Sequence, residues 1–266
     1  MAAILAALYS GVVYLAFLAT FLYAIGFVEG VVVPKTIDSG PVGDAPISIL
    51  INAVLLTIFA LQHSIMARPA FKRAWTRIVP EEAERSTYVL FATAALALLI
   101  WQWRPLPQIV WSVEQPLAVT AILAVSWLGW ALVLLSTFLI SHFQLFGLSQ
   151  GFARVLGRGS APQTEFATPF LYRWMRHPLY AGFILAFWAA PRMSFGRLLF
   201  AVLTTGYIFV GIWFEERDLV AQFGERYTQY RERVGMLIPM RRGSAPPPAV
   251  VGSGAAPRRG GGRDAG

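Results

Sequence analysis

Residues 172–216 read YRWMRHPLYAGFILAFWAAPRMSFGRLLFAVLTTGYIFVGIWFEE. From Pro178 to Phe214 this stretch is predominantly apolar, and it is cut once, at Pro191-Arg192-Met193-Ser194-Phe195-Gly196, where Pro and Gly punctuate a turn. The pattern predicts a helical hairpin made of a shorter helix and a full-length one. Its polar ends are Arg176-His177 at the entry and Glu215-Glu216 at the exit.

Working outward, four more segments contain the roughly 20 apolar residues that a bilayer crossing needs: 8–31, 47–67, 86–103 and 117–140. The expected fold class is therefore all-α: a polytopic membrane helical bundle with five to six membrane segments and a C-terminal helical hairpin. Composition agrees, since 56% of the 266 residues are hydrophobic and 14% are charged, against about one-quarter charged in soluble domains. The N-terminal run lacks a basic n-region and a small-residue cleavage site, so a retained first helix is expected rather than a signal peptide. There is no cysteine, which removes disulfides, thiolate metal ligands and a cysteine nucleophile from consideration. The net charge of +8 is partly a property of the tail, with Arg241, Arg242, Arg258, Arg259 and Arg263, so nucleic acid is not an expected partner. Neither a metal nor an obligate protein partner is expected.

Loop charge sets the expected orientation. Arg68, Lys72, Arg73, Arg77 and Arg85 crowd the connection between the second and third spans, which places it on the cytoplasmic side. Loops 32–46 and 104–116 carry little basic charge and fall on the other side. Both termini then face the cytoplasm, in an expected bacterial inner membrane. Residues 146–168 read as a cytoplasmic connection and 217–234 as the last helix continuing into water. The expected organisation is 1–140 for the first four membrane helices, 141–240 for the connection, hairpin and cofactor-binding region, and 241–266 for a disordered Gly/Pro/Ala/Arg tail.

Two clusters could carry chemistry. In Arg176-His177-Pro178-Leu179-Tyr180-Ala181-Gly182, Pro178 suits the first turn of a helix, whose unpaired amides can hold an anionic or polar ligand group. Gly182 permits close approach of a ligand or of a neighbouring helix. An interfacial anchor, with Arg176 and His177 reaching toward headgroups, explains the same residues. Glu215 and Glu216 end the last span, where carboxylates oppose the helix dipole unless the helix continues. Adjacent residues diverge by about 100° around a helix, so one glutamate can face a cavity while the other pairs with Arg173, Arg176 or Arg217.

Taken together, Arg176-His177-Pro178-x-Tyr180-x-Gly182, the hairpin, Glu215-Glu216-x-x-Leu219, Phe223-Gly224-x-x-Tyr227-x-x-Tyr230-x-x-x-Val234 and Ile238-Pro239 resemble the isoprenylcysteine carboxyl methyltransferase and phospholipid methyltransferase superfamily. Upstream, Gln62-His63-Ser64-x-Met66-Ala67-Arg68-Pro69, Glu84-Arg85-Ser86-Thr87-Tyr88, Trp101-x-Trp103-Arg104-Pro105 and His142-Phe143-x-Leu145-Phe146-Gly147-Leu148-x-Gln150 resemble the narrower group of bacterial methanethiol S-methyltransferases. The resemblance implies S-adenosylmethionine as cofactor, bound by Phe166, Ala167, Tyr172, His177, Pro178, Leu179, Tyr180, Gly182 and Glu215. It also implies methylation of methanethiol to dimethyl sulfide in a membrane-embedded pocket. Where the prenylcysteine enzymes carry an arginine one turn before the acidic pair, this chain has Gly211, which agrees with a small neutral thiol rather than a carboxylate. Phe170 and Gly235 depart from the family pattern, which usually has Gly and Pro there.

The thiol must lose a proton. His142, His63 and Glu216 are the candidate bases, with Arg85 and Tyr88 expected to join the two histidines over the cofactor. Each histidine also reads as an ordinary interfacial residue, and Glu84-Arg85 as a local ion pair capping a helix that starts at Ser86. The tryptophans are expected to be belt and packing residues. Rival classes are methylation of another thiol, a lipid or a prenylcysteine, a sterol-reductase-like membrane reductase, and an NnrU-like non-enzymatic membrane protein.

Overall fold

The computed structural model describes residues 1–153, 155–157 and 168–240. Five helices are long and apolar enough to cross a membrane: α1 (Ala2–Glu29), α2 (Ala45–Met66), α4 (Glu81–Gln102), α5 (Pro116–Ile140) and α9 (Phe195–Phe223). The chain is a multi-pass helical membrane protein. Shorter elements fill the connections: α3 (Pro69–Trp75), α6 (His142–Leu145), α7 (Leu148–Ala153), a 3-10 turn at Phe170–Arg173, α8 (Pro178–Trp188) and α10 (Glu225–Arg233). The predicted tail, 241–266, and residues 154 and 158–167 of the predicted connection lie outside the described residues.

Local chemistry explains the helix ends. Asp44 accepts from Ile47 N at 3.1 Å to cap α2, Gln115 caps α5 through Ala118 N, and Ser194 caps α9 through Arg197 N at 3.1 Å. The third span starts at Glu81 rather than at Ser86. Glu81, Glu82 and Glu84 occupy its first turn, where carboxylates suit the dipole. Ser86 is instead fully buried and meets Ser10 of α1 at 2.8 Å.

The expected hairpin takes an unexpected form. Residues 192–194 are not a simple turn: Arg192–Ser194 (β2) pairs antiparallel with Ile109–Ser112 (β1). With 11 residues, α8 rises only about 16 Å. On the other side, the run of α9 from Phe195 to Glu216 rises about 31 Å. His177 nevertheless reaches Glu216 at 3.1 Å, so the descending limb matches the ascending one by adding extended chain to its half-length helix. That non-helical backbone is supplied with partners: Trp111 Nε1 donates to Ala190 O at 3.0 Å and Val113 N to Pro191 O at 2.9 Å. Irregular backbone in an apolar setting persists only where the protein satisfies it.

α8 lies hard against α5. A Cβ placed on Gly182 would come 2.7 Å from Gly129 O, and one on Gly129 would come 2.6 Å from Gly182 O. This is small-residue packing, so the close approach that Gly182 permits is taken by a helix. The main core gathers Phe27, Ile37, Leu99, Trp103, Trp130 and Phe200. Trp103 and Trp130 are therefore packing residues, and Glu29 accepts from Trp130 Nε1 at 2.7 Å and from Ser126 Oγ at 2.8 Å.

The last helix does not run unbroken to Val234. It stops at Phe223, because Gly224 adopts φ +56°, and α10 folds back so that Tyr227, Tyr230 and Val234 pack on Leu219, Val220 and Phe223. The chain then pairs with the entry to α8: Arg176 N donates to Gly235 O at 2.9 Å, His177 N to Met236 O at 3.0 Å and Gly235 N to Met240 O at 2.8 Å. Proline at position 235 would lack that last donor, which accounts for Gly235. Phe170 sits at φ +34°, a left-handed value that glycine adopts more easily.

Candidate functional site

The two sequence motifs meet where α8 begins and α9 leaves the apolar layer. His177, 4% exposed, places Nε2 3.1 Å from Glu216 Oε1 and Nδ1 3.9 Å from Glu215 Oε2. Arg176 Nε lies 3.1 Å from the same Glu216 oxygen, and Arg231 Nη1 lies 4.0 Å from Oε2. Arg176 Nη1 also donates to Arg231 O at 2.8 Å, which ties α10 to the α8 entry. Glu216 is thus the anion at the centre of a largely buried charge network.

Its neighbour is placed differently. The Glu215 side chain is 46% exposed and hydrogen-bonds Tyr180 on the first turn of α8. The amides of Leu179 and Tyr180 precede the first intrahelical bond, which runs from Ala181 N to His177 O at 3.0 Å, so they face outward as helix-terminal donors. A cavity of about 300 Å³ is bounded by Trp213, Glu216, Arg217, Val220 and Arg231. A second, of about 210 Å³, lies on the other side of Arg231, against Arg176, Gly235 and Met236. Tyr230 donates to Tyr172 O at 2.5 Å. Burial raises the phenol pKa of Tyr172, Tyr227 and Tyr230 above the usual tyrosine range. All three remain protonated donors at neutral pH.

A second cluster, mostly neutral with a single cation, lies beside this one, between α2, α4 and α9. Tyr88 Oη is 3.0 Å from both ring nitrogens of His63, Phe59 stacks on the imidazole at 5.5 Å, and the Arg85 guanidinium lies 4.7 Å from the Tyr88 ring centre. Ser64 Oγ is 3.2 Å from Tyr207 Oη. Tyr207 and Tyr88 are both within electrostatic reach of Tyr180, which links this cluster to Glu215. A Cβ added to Gly211 would stand 3.8 Å from Tyr180 Oη, so the position without the arginine opens toward that hydroxyl.

The structure divides the expected residues. His63, Tyr88 and Arg85 come together, whereas His142 sits in a pocket of its own. Its Nε2 meets Tyr14 Oη at 3.0 Å, its Nδ1 meets Thr137 Oγ1 at 2.9 Å, and its ring stacks on Phe138 at 4.2 Å. Burial lowers its pKa. Glu84 and Arg85 are not a local pair: Glu84 binds Lys72 at 3.3 Å, and Arg85 Nε donates to Leu145 O at 2.8 Å. Phe166 and Ala167 lie outside the described residues. Tyr207 was missed by sequence reasoning, since one tyrosine in an apolar run gives no periodic signal. Ser64 lies within the Gln62–Pro69 motif, where a serine near a helix end gives no signal of a partner 143 residues away.

The family described as NnrU protein matches residues 50–229. The chain is 55% identical over 238 residues to methanethiol S-methyltransferase 1 of Bradyrhizobium diazoefficiens, covering 90% of this chain and 83% of that protein. It is 54% identical over 237 residues to methanethiol S-methyltransferase of Mycobacterium tuberculosis, covering 87% and 95% respectively. A more distant relative, nurim of Rattus norvegicus, is 30% identical over 175 residues, covering 62% of this chain and 65% of that protein. No solved structure matches.

Proposed function

The chain belongs to the NnrU family and to the methanethiol S-methyltransferase group within its reach, and on that premise we propose that it methylates methanethiol to dimethyl sulfide with S-adenosylmethionine as donor. The observation that carries this reading is identity above one-half, over nearly nine-tenths of the chain, to proteins bearing that name.

The residues at the α8 entry fit such a donor. A half-exposed carboxylate, Glu215, suits hydroxyl or ammonium groups, the exposed part of Arg231 suits a carboxylate, and the free amides of Leu179 and Tyr180 accept polar atoms at a helix terminus. His177 and Pro178 shape that terminus, and Glu216 holds Arg176 and His177 in place. Tyr172 closes the side nearest α10. When bound, the donor supplies an electrophilic methyl on a cationic sulfur. The chain's own contribution is to align the acceptor and exclude water. Alignment alone is worth about 7–11 kcal/mol in effective-molarity terms, and apolar walls strengthen the attraction between a thiolate and a sulfonium.

One contact supports the proposed orientation. Arg68, from the basic connection after α2, pairs with Asp218 of α9 at 3.0 Å, so the basic loops and the α8 entry share one face. The positive-inside rule makes that face cytoplasmic, which suits a bacterial inner membrane and a water-soluble donor.

The test is direct. Protein purified into lipid nanodiscs and supplied with methyl-labelled S-adenosylmethionine and methanethiol should release labelled dimethyl sulfide. Absence of that product, with donor binding retained, would overturn the acceptor. Binding of NADPH in place of S-adenosylmethionine would overturn the donor.

A further inference from the structure

Methylating a thiol releases one proton, and the chain must receive it. His142 has both nitrogens engaged by hydroxyls, Tyr14 on one side and Thr137 on the other. Glu216 is held by Arg176, His177 and Arg231. Glu215 faces Tyr180 at the donor side. His63 differs from all of these. Both of its nitrogens lie 3.0 Å from one and the same hydroxyl, Tyr88 Oη. Among the described residues His63 has no other hydrogen-bond partner, and a single hydroxyl places its one proton on one nitrogen at a time, which leaves the other nitrogen with a lone pair or N–H to offer. Phe59 fixes the ring plane, and Arg85 over the Tyr88 ring fixes the phenol.

Building on the methyl-transfer reading above, we propose that His63 is the general base for the acceptor thiol and that Tyr88 is the residue that positions it. The free imidazole nitrogen takes the proton as the S–H bond breaks, and the sulfur keeps the electron pair. That pair forms the new sulfur–carbon bond, while the donor's carbon–sulfur bond breaks with its own pair left on the departing sulfur. The imidazolium then gives its proton to water as the product leaves. In the resting state Tyr88 selects which nitrogen is free, and in the protonated state its oxygen accepts from the other N–H.

The test uses acceptors of different acidity. A base is needed for methanethiol, which is protonated at neutral pH, and is dispensable for methaneselenol, which is already ionised. His63→Gln should lower turnover of methanethiol by about 10²–10⁴-fold and that of methaneselenol by less than about tenfold, with unchanged affinity for S-adenosylmethionine. Tyr88→Phe, which keeps the ring volume, should show the same selectivity at smaller amplitude. It carries the test if the His63 variant does not fold. A readout independent of turnover is the ultraviolet thiolate absorbance of methanethiol bound beside the unreactive donor analogue sinefungin. It is expected in the unsubstituted protein and lost in His63→Gln. Equal losses with both acceptors, or a thiolate signal that survives His63→Gln, would overturn the proposal. If the unsubstituted protein methylates neither acceptor, it is the underlying methyl-transfer reading that fails instead.

Discussion

The cluster around Glu216, the proposed donor side, and the cluster around His63, the proposed acceptor side, lie next to each other but are built from different materials. Around Glu216 the chain uses full charges, with Arg176, His177 and Arg231 converging on one carboxylate at the edge of the apolar layer. Around His63 it uses mostly neutral groups, an imidazole, the hydroxyls of Tyr88, Tyr207 and Ser64, and the ring of Phe59, with one cation, Arg85, over the Tyr88 ring. A charged network suits a polar ligand arriving from water, because charge-assisted hydrogen bonds are about twice as strong as neutral ones. A neutral cluster suits a small apolar thiol arriving through lipid, since it imposes little desolvation cost until the proton moves. One face of the bundle thus presents a charged cluster and a mostly neutral polar cluster side by side.

The largest test of this contrast is Glu216→Ala. It leaves Arg176 and His177 without their shared anion and should cost about 3–5 kcal/mol of stability, read as a fall in unfolding temperature in nanodiscs, with donor affinity lost as well. Next comes Glu215→Gln. It should weaken S-adenosylmethionine binding about tenfold to a hundredfold, as expected for a hydrogen bond to a charged group, while unfolding changes little. A comparable stability loss in both variants would erase the distinction drawn between the two glutamates.

Alkaline pH gives a further test at Tyr227 and Tyr230. Burial raises the pKa of Tyr227 and Tyr230, so the stability they contribute is fully present below the ordinary tyrosine value near 10. It is lost as pH rises above that value toward the raised folded ones, because the unfolded chain ionises first. The slope approaches about 1.4 kcal/mol per pH unit for each tyrosine, and Tyr227→Phe should flatten it. On the acceptor side, Ser64→Ala removes the partner of Tyr207 and should cost about 0.6 kcal/mol, the scale of hydrogen bonds between membrane helices, with donor affinity unchanged. The smallest effect is a gain. Phe170 is 65% exposed and held at φ +34°, so Phe170→Gly should relieve about 1–2 kcal/mol of left-handed strain against about 0.5–1 kcal/mol of glycine entropy. A net increase in unfolding temperature is expected.

Much of this was legible in the amino-acid order. Apolar run length specified the five long helices, because a bilayer sets a minimum length that 20 consecutive residues either meet or miss. The meeting of Arg176–Gly182 with the acidic tandem, and a pair between Arg176 and one glutamate, are legible from position, since both motifs lie at the ends of one hairpin, whereas the His177–Glu216 contact is not. Boundaries were less legible: the third span begins at Glu81, five residues before the predicted start, because carboxylates are welcome in a first turn. The break at Gly224 was hidden by apolar residues that keep helical spacing on both sides of it.

Composition thus determined, without help, that this chain is a membrane bundle, and motif that the α8 entry is its candidate site, since transfer energies and helix-terminal polarity act over neighbouring residues. Tertiary structure alone decided how β2 finds β1, how Gly182 meets Gly129, and why His63 rather than His142 joins Tyr88. The physical reason is sequence distance: these contacts join residues from 25 to more than 80 positions apart, and which of several chemically equivalent partners is chosen depends on packing that no local pattern encodes.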